Sequence, residues 1–186
     1  MRTELVSRAR SGDREAFAVL AAGTVDRLYG IARLILRDSD LAEDATQEAL
    51  EDAWRHLPTL RDVERFDAWL YRLVVNACAQ AGRHRRRWRT EITLLVTEPS
   101  EPDHASALAD RDQLERGLRR LTGAQRTIIV LHFYVDLPLK EVAGIMGIPV
   151  GTAKSRLHYA LEAMRTALAA EERSTLGTRP GEVRSA

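Results

Sequence analysis

Apolar residues recur at three- and four-residue spacing from about Asp13 to Leu168, and the two-residue alternation of strands is scarce. The chain therefore predicts helices almost throughout. Asp13 is placed to cap a short helix running through Phe17 and Leu20. Gly23 and Thr24 break it, and Thr24 caps a second helix with Leu28, Ile31, Ala32 and Ile35 on one face. A third helix runs from about Asp40 to Leu57 and stops at Pro58, since the residue before a proline is pushed out of the helical region. A loop from Thr59 to Glu64 leads to a fourth helix that starts near Arg65 or Phe66. Its apolar stripe is Phe66, Trp69, Leu70, Leu73, Ala77 and Ala81. Four such helices can bury one shared core.

Periodicity then lapses. Residues 91–106 contain Pro99 and Pro102, are polar from Thr97 onward and read as a linker, with Leu94, Leu95 and Val96 as an apolar exception. Leu108, Leu114, Leu118 and Leu121 restart a stripe. Thr122 and Gln125 have capping-box spacing, which starts a helix carrying Ile128, Ile129, Leu131 and Val135. Pro138 suits the first turn of a helix from Leu139 to Met146, and Gly147 suits a left-handed turn position. A last helix, about Gly151 to Ala169, would bury Ala153, Leu157, Ala160, Met164 and Leu168. The expected fold is all-α: two small helical domains, residues 10–90 and 107–170, joined by a flexible linker, with the second a helix-turn-helix. Residues 171–186 read as a disordered tail.

Composition narrows the class. A single cysteine, Cys78, excludes an internal disulfide framework and a Cys-rich zinc site. No apolar run near the start suggests a signal peptide, and Thr127 to Val135 is too short to span a bilayer. The chain is expected to be cytoplasmic, with no membrane insertion. Formal net charge is +1 but unevenly spread. Residues 91–112 hold six acids and one arginine, residues 113–170 hold eight bases and four acids, and Arg83 to Arg89 holds five arginines and no acid. Partners should therefore be sought segment by segment.

Three surfaces carry candidate chemistry. Leu137 to Leu168 has helix-turn-helix form, in which the second helix enters the major groove. With Ala153, Leu157, Ala160 and Met164 inward, Gly151, Ser155, His158, Tyr159 and Glu162 face out, flanked by Lys154 and Arg156. Lys154 and Ser155 can reach base edges and Arg156 can reach phosphate; a plain helical hairpin with a solvated face is the bland alternative. On the fourth helix, Arg72, Asn76, Gln80, Arg83 and Arg87 make one polar stripe that runs into Arg85, Arg86, Trp88 and Arg89. Such a stripe can hold phosphate, bond a base or stack unpaired bases, or it can be a solvated basic helix end favoured by the helix dipole. On the third helix Asp40, Asp44, Glu48, Glu51 and Asp52 form an acidic face that repels DNA and suits a protein partner, or simply water. No P-loop, nucleophile elbow, HExxH or dinucleotide fingerprint occurs. No enzyme, metal or cofactor is expected.

These segments resemble one family. Asp40 to Glu48 looks like the polymerase-binding segment, region 2.2, of sigma factors of the extracytoplasmic-function (ECF) type. Phe66 to Leu73, with Asn76 and the arginines after it, looks like their region 2.3/2.4. Leu121 to Gln125, Lys140 to Ala143 and Gly147 to Leu157 look like region 4. The resemblance covers roughly residues 10 to 168, in order.

It implies a bacterial alternative sigma factor that binds core RNA polymerase (the β′ clamp and the β subunit) and promoter DNA. Asp40, Glu43, Asp44, Gln47, Glu48 and Glu51 would bind polymerase. Leu60, Arg61, Trp69, Arg72, Asn76, Arg83, Arg86 and Arg87 would take the minus-ten element. Gly151, Thr152, Lys154, Ser155, Arg156, His158 and Tyr159 would take the minus-thirty-five element. An anti-sigma factor is the further expected partner. Two positions depart from the pattern: Tyr159-Ala160-Leu161 replaces the usual Arg-Ala-Arg, and Leu60 to Arg65 lacks the common glycine-containing loop. The alternative is a helix-turn-helix regulator that acts without polymerase.

Overall fold

The computed structural model describes residues 1–93 and 117–176, and side chains within them over 1–85 and 117–169. The described elements are helical, without a strand among them. Helix α1 (Arg2–Arg10) is absent from the periodicity argument because its surface is charged and it buries only Val6 and Ala9. It is fixed from outside itself. Arg2 Nη2 sits 2.6 Å from Asp67 Oδ1, and Arg10 Nη1 donates to the Leu60 carbonyl at 3.2 Å.

Helix α2 (Arg14–Ala22) starts as expected, with the Ala16 amide donating to Asp13 Oδ1 at 3.0 Å. That bond, then the Arg8 side chain, lowers the Asp13 pKa below its ordinary value. Thr24 precedes α3 (Val25–Leu36) but does not cap it. Its hydroxyl donates back to the Leu20 carbonyl at 2.7 Å, closing the end of α2 instead. Helix α4 (Ser39–His56) is capped by Asp38, which accepts from the Leu41 amide at 3.1 Å. Its inner face is almost entirely alanine: Ala42, Ala45, Ala49 and Ala53 are all buried. Side chains that end at Cβ let α3 and α5 approach it closely.

Two short 3-10 turns, Leu57–Thr59 and Val63–Arg65, replace the expected loop. Helix α5 (Phe66–Thr93) follows and continues past residue 90, where the linker was expected to have begun. Its buried centre is Phe66, Leu70, Tyr71, Val74, Ala77 and Cys78, while Trp69, Leu73 and Ala81 lie half-buried at the margin. The face is rotated because α5 packs on both α3 and α4. Burial pushes the Cys78 thiol up to about 12, so only the neutral form sits comfortably in the folded chain. Any stability this difference contributes is intact below the reference value of 9.0 and fades as pH rises towards 12. Alkylation of Cys78 at pH 8 should be at least about a hundredfold slower in the native chain than in denaturant; equal rates would show that the site opens freely.

In the second unit, residues 117–119 are helical, and Leu118 and Leu121 are buried. Leu108 and Leu114 lie outside the described residues, as does the linker from residue 94 on. The capping box forms: Thr122 Oγ1 accepts from the Gln125 amide, and Gln125 Oε1 from the Thr122 amide at 2.9 Å. Helix α6 (Gly123–Ile129) then widens into a π turn, Val130–Tyr134, closed by the Val135 amide on the Val130 carbonyl at 3.0 Å. A regular helix through Val135 was expected; nothing in the residue types marks the change. Pro138 sits just before α7 (Leu139–Met146), and Gly147 adopts φ +64° at its end. Helix α8 (Val150–Leu176) runs six residues into the segment read as a disordered tail, where Glu, Arg and Leu are good helix formers. Residues 177–186 lie outside the described part.

The two units also pack on one another. Helix α3 touches α6 and the π turn, α5 touches α7, and the buried residues form one continuous cluster. No described helix is long and apolar enough to cross a membrane.

Candidate functional site

Capping by Asp38 and burial of the alanine seam fix the rotation of α4, so Asp40, Glu43, Asp44, Gln47, Glu48 and Glu51 are all exposed. They are not equivalent. Arg55 pairs with Asp52 at 2.5 Å and with Glu51 at 3.3 Å, and Gln47 donates to Glu51 at 3.0 Å. Asp40, Glu43, Asp44 and Glu48 have no ion pair among the described residues. Beside them runs a groove of about 560 Å3 that periodicity did not reveal. Phe17, Tyr29, Leu50 and Trp54 floor it, with Glu43 and Glu51 on its rim. The Phe17 and Trp54 rings stand 5.0 Å apart, tilted by 53°. Its residues come from three helices, so only their assembly makes an apolar slot with an acidic edge. That combination fits a basic amphipathic protein helix better than it fits nucleic acid.

The α5 stripe is present, with one loss at its border. Arg61, Arg72, Asn76 and Arg83 are exposed, and Trp69 is half-buried with its ring 6.0 Å from Phe66. Leu60 corrects the expectation: it is 8% exposed, and its carbonyl is held by Arg10. Its side chain is core and does not face solvent, so the loop offers Arg61 instead. Arg86 and Arg87 lie on α5, but their side chains are outside the described residues. Arg85, at the same end, is tied to Asp38 at 3.3 Å and links the stripe to the start of α4.

On α8, Ala153 and Ala160 are fully buried, and this sets the helix rotation. Gly151, Thr152, Lys154, Ser155, His158 and Tyr159 are exposed, and Arg156 is half-buried. Ser155 Oγ donates to the Thr152 carbonyl at 3.1 Å, and His158 Nε2 stands 3.7 Å from Glu162. Lys154 makes no side-chain hydrogen bond or ion pair among the described residues, and Tyr159, 62% exposed, has its ring 5.6 Å from that of His158. Among the described residues no group of His, Cys, Asp and Glu could hold a metal ion.

Residues 21–90 match the family model of Sigma-70 region 2, and residues 117–166 match that of Sigma-70, region 4. The class is therefore a two-unit sigma-70-type initiation factor. RNA polymerase sigma-H factor of Pseudomonas aeruginosa is 31% identical over 178 residues, covering 89% of this chain and 92% of its own. ECF RNA polymerase sigma factor SigL of Mycobacterium tuberculosis is 32% identical, covering 85% and 94%. The structure of CnrH in complex with the cytosolic domain of CnrY matches with TM-score 0.68 and 26% identity, over 91% of this chain and 97% of that one. The sigma factor RpoE of Bartonella quintana, solved with the anti-sigma factor NepR, shares the fold at TM-score 0.68 and 24% identity, over 82% and 96%. The chain belongs to the ECF group of RNA polymerase sigma factors and is an alternative sigma factor directing transcription.

Proposed function

We propose that the chain attaches to core RNA polymerase through α4 and reads promoter DNA at two separate places. The carrying observation is the coexistence, in one small unit, of α4 acids without an ion pair among the described residues, set beside an apolar groove, and an exposed Arg72–Asn76–Arg83 stripe on α5. A repressor that acts alone has no use for the first surface. Asp40, Glu43, Asp44, Gln47, Glu48 and Glu51 meet polymerase, with Phe17 and Trp54 supplying apolar contact. Arg61, Arg72, Asn76 and Arg83, with Trp69, Arg86 and Arg87, engage the minus-ten element. Gly151, Thr152, Lys154, Ser155, Arg156, His158 and Tyr159 engage the minus-thirty-five element.

The chain works in the cytoplasm, has no catalytic activity of its own and is held in check by an anti-sigma factor. Support for that partner comes from the two matched structures, each solved with a second protein.

Run-off transcription with core polymerase over a genomic promoter library tests the reading; start sites sharing two spaced elements are expected. No initiation, combined with specific duplex binding in the absence of polymerase, would favour an ordinary helix-turn-helix regulator. Lys154→Ala should lower affinity for the upstream element about fivefold or more, the scale of one base-edge contact, while core binding stays unchanged. A loss of core binding instead would exchange the roles of the two units.

A further inference from the structure

Helix α1 has little apolar surface, yet Arg2, Val6 and Arg10 form one stripe along it at four-residue spacing. The middle of the stripe, Val6, is buried. Its ends are cationic, and each end holds a different part of the unit. Arg2 pairs with Asp67 in the first turn of α5 and reaches Thr24 Oγ1 at 3.4 Å. Arg10 Nη1 donates to the Leu60 carbonyl at 3.2 Å. Between these points α1 packs against both 3-10 turns, Leu57–Thr59 and Val63–Arg65. It thus braces the short stretch between the turns, where Arg61 stands.

Leu60, Arg61 and Asp62 belong to neither turn. The hydrogen bonds around them are otherwise local. The Leu60 amide donates to the Leu57 carbonyl at 3.0 Å, the Arg65 amide to the Asp62 carbonyl at 3.2 Å, and the Glu64 amide to Asp62 Oδ1 at 3.0 Å. Among the described residues, only Arg10 reaches this backbone from another helix. One anchor is enough because a peptide unit is planar: every atom from the Leu60 Cα to the Arg61 Cα moves as one plate. The buried Leu60 side chain fixes one corner of the plate, and the guanidinium fixes its oxygen. Rotation about the Leu60 Cα–C bond, held at ψ 113°, is the freedom that this contact removes. A charged donor makes it a stronger hold than a neutral one would. Arg61 leaves from the far edge of the plate, with its side chain exposed.

We propose that Arg10 is a positioning residue for the minus-ten element: by holding the Leu60 carbonyl it fixes where Arg61 meets a base, and so sets base preference without itself contacting DNA. The inference rests on the reading of Arg61, with Arg72, Asn76 and Arg83, as the minus-ten surface. A well-placed base-edge contact discriminates by roughly 5- to 150-fold, and a side chain whose stem can swing offers its donors to the wrong bases as well. The competing role for Arg10 is direct contact with phosphate. The two differ in kind. A phosphate contact carries no sequence preference and adds to the salt dependence of binding, whereas a positioning residue alters preference and leaves the salt dependence alone.

The test uses the full chain with core polymerase, on a promoter from which the wild-type chain initiates and on single-base variants across its minus-ten element. Arg10→Met is compared with Arg61→Ala. Three quantities are read: base preference at each minus-ten position from run-off yield, the slope of log affinity for promoter against log salt, and affinity for core polymerase. Arg10→Met is expected to relax preference about threefold or more at the position that Arg61→Ala relaxes, with core affinity and salt slope unchanged. Arg10→Gln, too short to reach the Leu60 carbonyl but still polar, gives the same reading should Arg10→Met misfold. Wild-type preference in a folded variant would remove the positioning role. So would a uniform loss across all minus-ten sequences with a salt slope shallower by about 0.7–0.9, the mark of one lost phosphate contact. Failure of the Arg10 variants alone leaves the minus-ten reading standing. An Arg61→Ala chain with wild-type preference at every position would sink that reading of the loop and the inference with it.

Discussion

Asp44→Lys combined with Glu48→Lys should weaken binding to core RNA polymerase by at least about tenfold, ~1.4 kcal/mol or more. The two carboxylates are one turn apart on α4, exposed and without an ion pair among the described residues. Their native charge therefore does little for folding, and exposed substitutions of this kind usually move stability by no more than about 0.5 kcal/mol. Reversal places two cations where a basic partner surface expects two anions, and like-charge juxtaposition across an interface costs several kcal/mol. The same electrostatics make wild-type affinity fall with salt over the range where the screening length shrinks below ~10 Å. The variant should have a flatter salt dependence. Equilibrium titration of labelled chain against core polymerase at two ionic strengths reads both effects. A double variant that binds like the wild type would move the polymerase contact off α4.

Leu28→Ala should cost about 2–5 kcal/mol, the range for emptying a leucine site in a packed interior. Leu28 is fully buried on α3, and α3 packs against α2, α4, α5, α6 and the π turn. The cavity would thus open where most elements meet, with few neighbours free to collapse into it. For a chain of this size the loss corresponds to a fall in Tm of roughly 4–20 °C. Because the buried cluster is continuous between the units, the fall should appear in probes of both. A melt in which the second unit keeps its wild-type transition would show that the cores are energetically separate. A melt unchanged in both would contradict the burial of Leu28.

Much of this was legible because short-range chemistry fixes it. The Asp13 cap, the Thr122–Gln125 capping box and the left-handed Gly147 each depend on neighbours within a few residues, and each is found where the residue types place it. The outward face of α8 followed from the inward stripe of Ala153, Leu157, Ala160 and Met164, of which Ala153 and Ala160 are fully buried and the other two half-buried. Errors came where one side chain has two local partners to choose from, as at Thr24, and where distant groups decide. Thr24 bonds backward to Leu20 rather than forward, Leu60 is drawn into the core with Arg10 on its carbonyl, and Tyr71, Val74 and Cys78 are buried because two helices press on α5 from different sides. Helix α1 has too little apolar surface to announce itself. The aromatic floor beside the acids is assembled from three helices, and the contact between the units joins residues about a hundred positions apart. Periodicity carries no information at that range.

The alanine lining of α4 separates two jobs that most helices must share. Inward, along Ala42, Ala45, Ala49 and Ala53, the helix contributes little more than backbone and methyl groups, so the packing beneath makes few demands on the carboxylates that project outward. The outer carboxylates can be rewritten wholesale, in number, spacing or sign, with almost no penalty to the architecture beneath. A library randomised at Asp40, Glu43, Asp44 and Glu48 should therefore retain folded members at high frequency, which lets the charge of this face be varied independently of the fold.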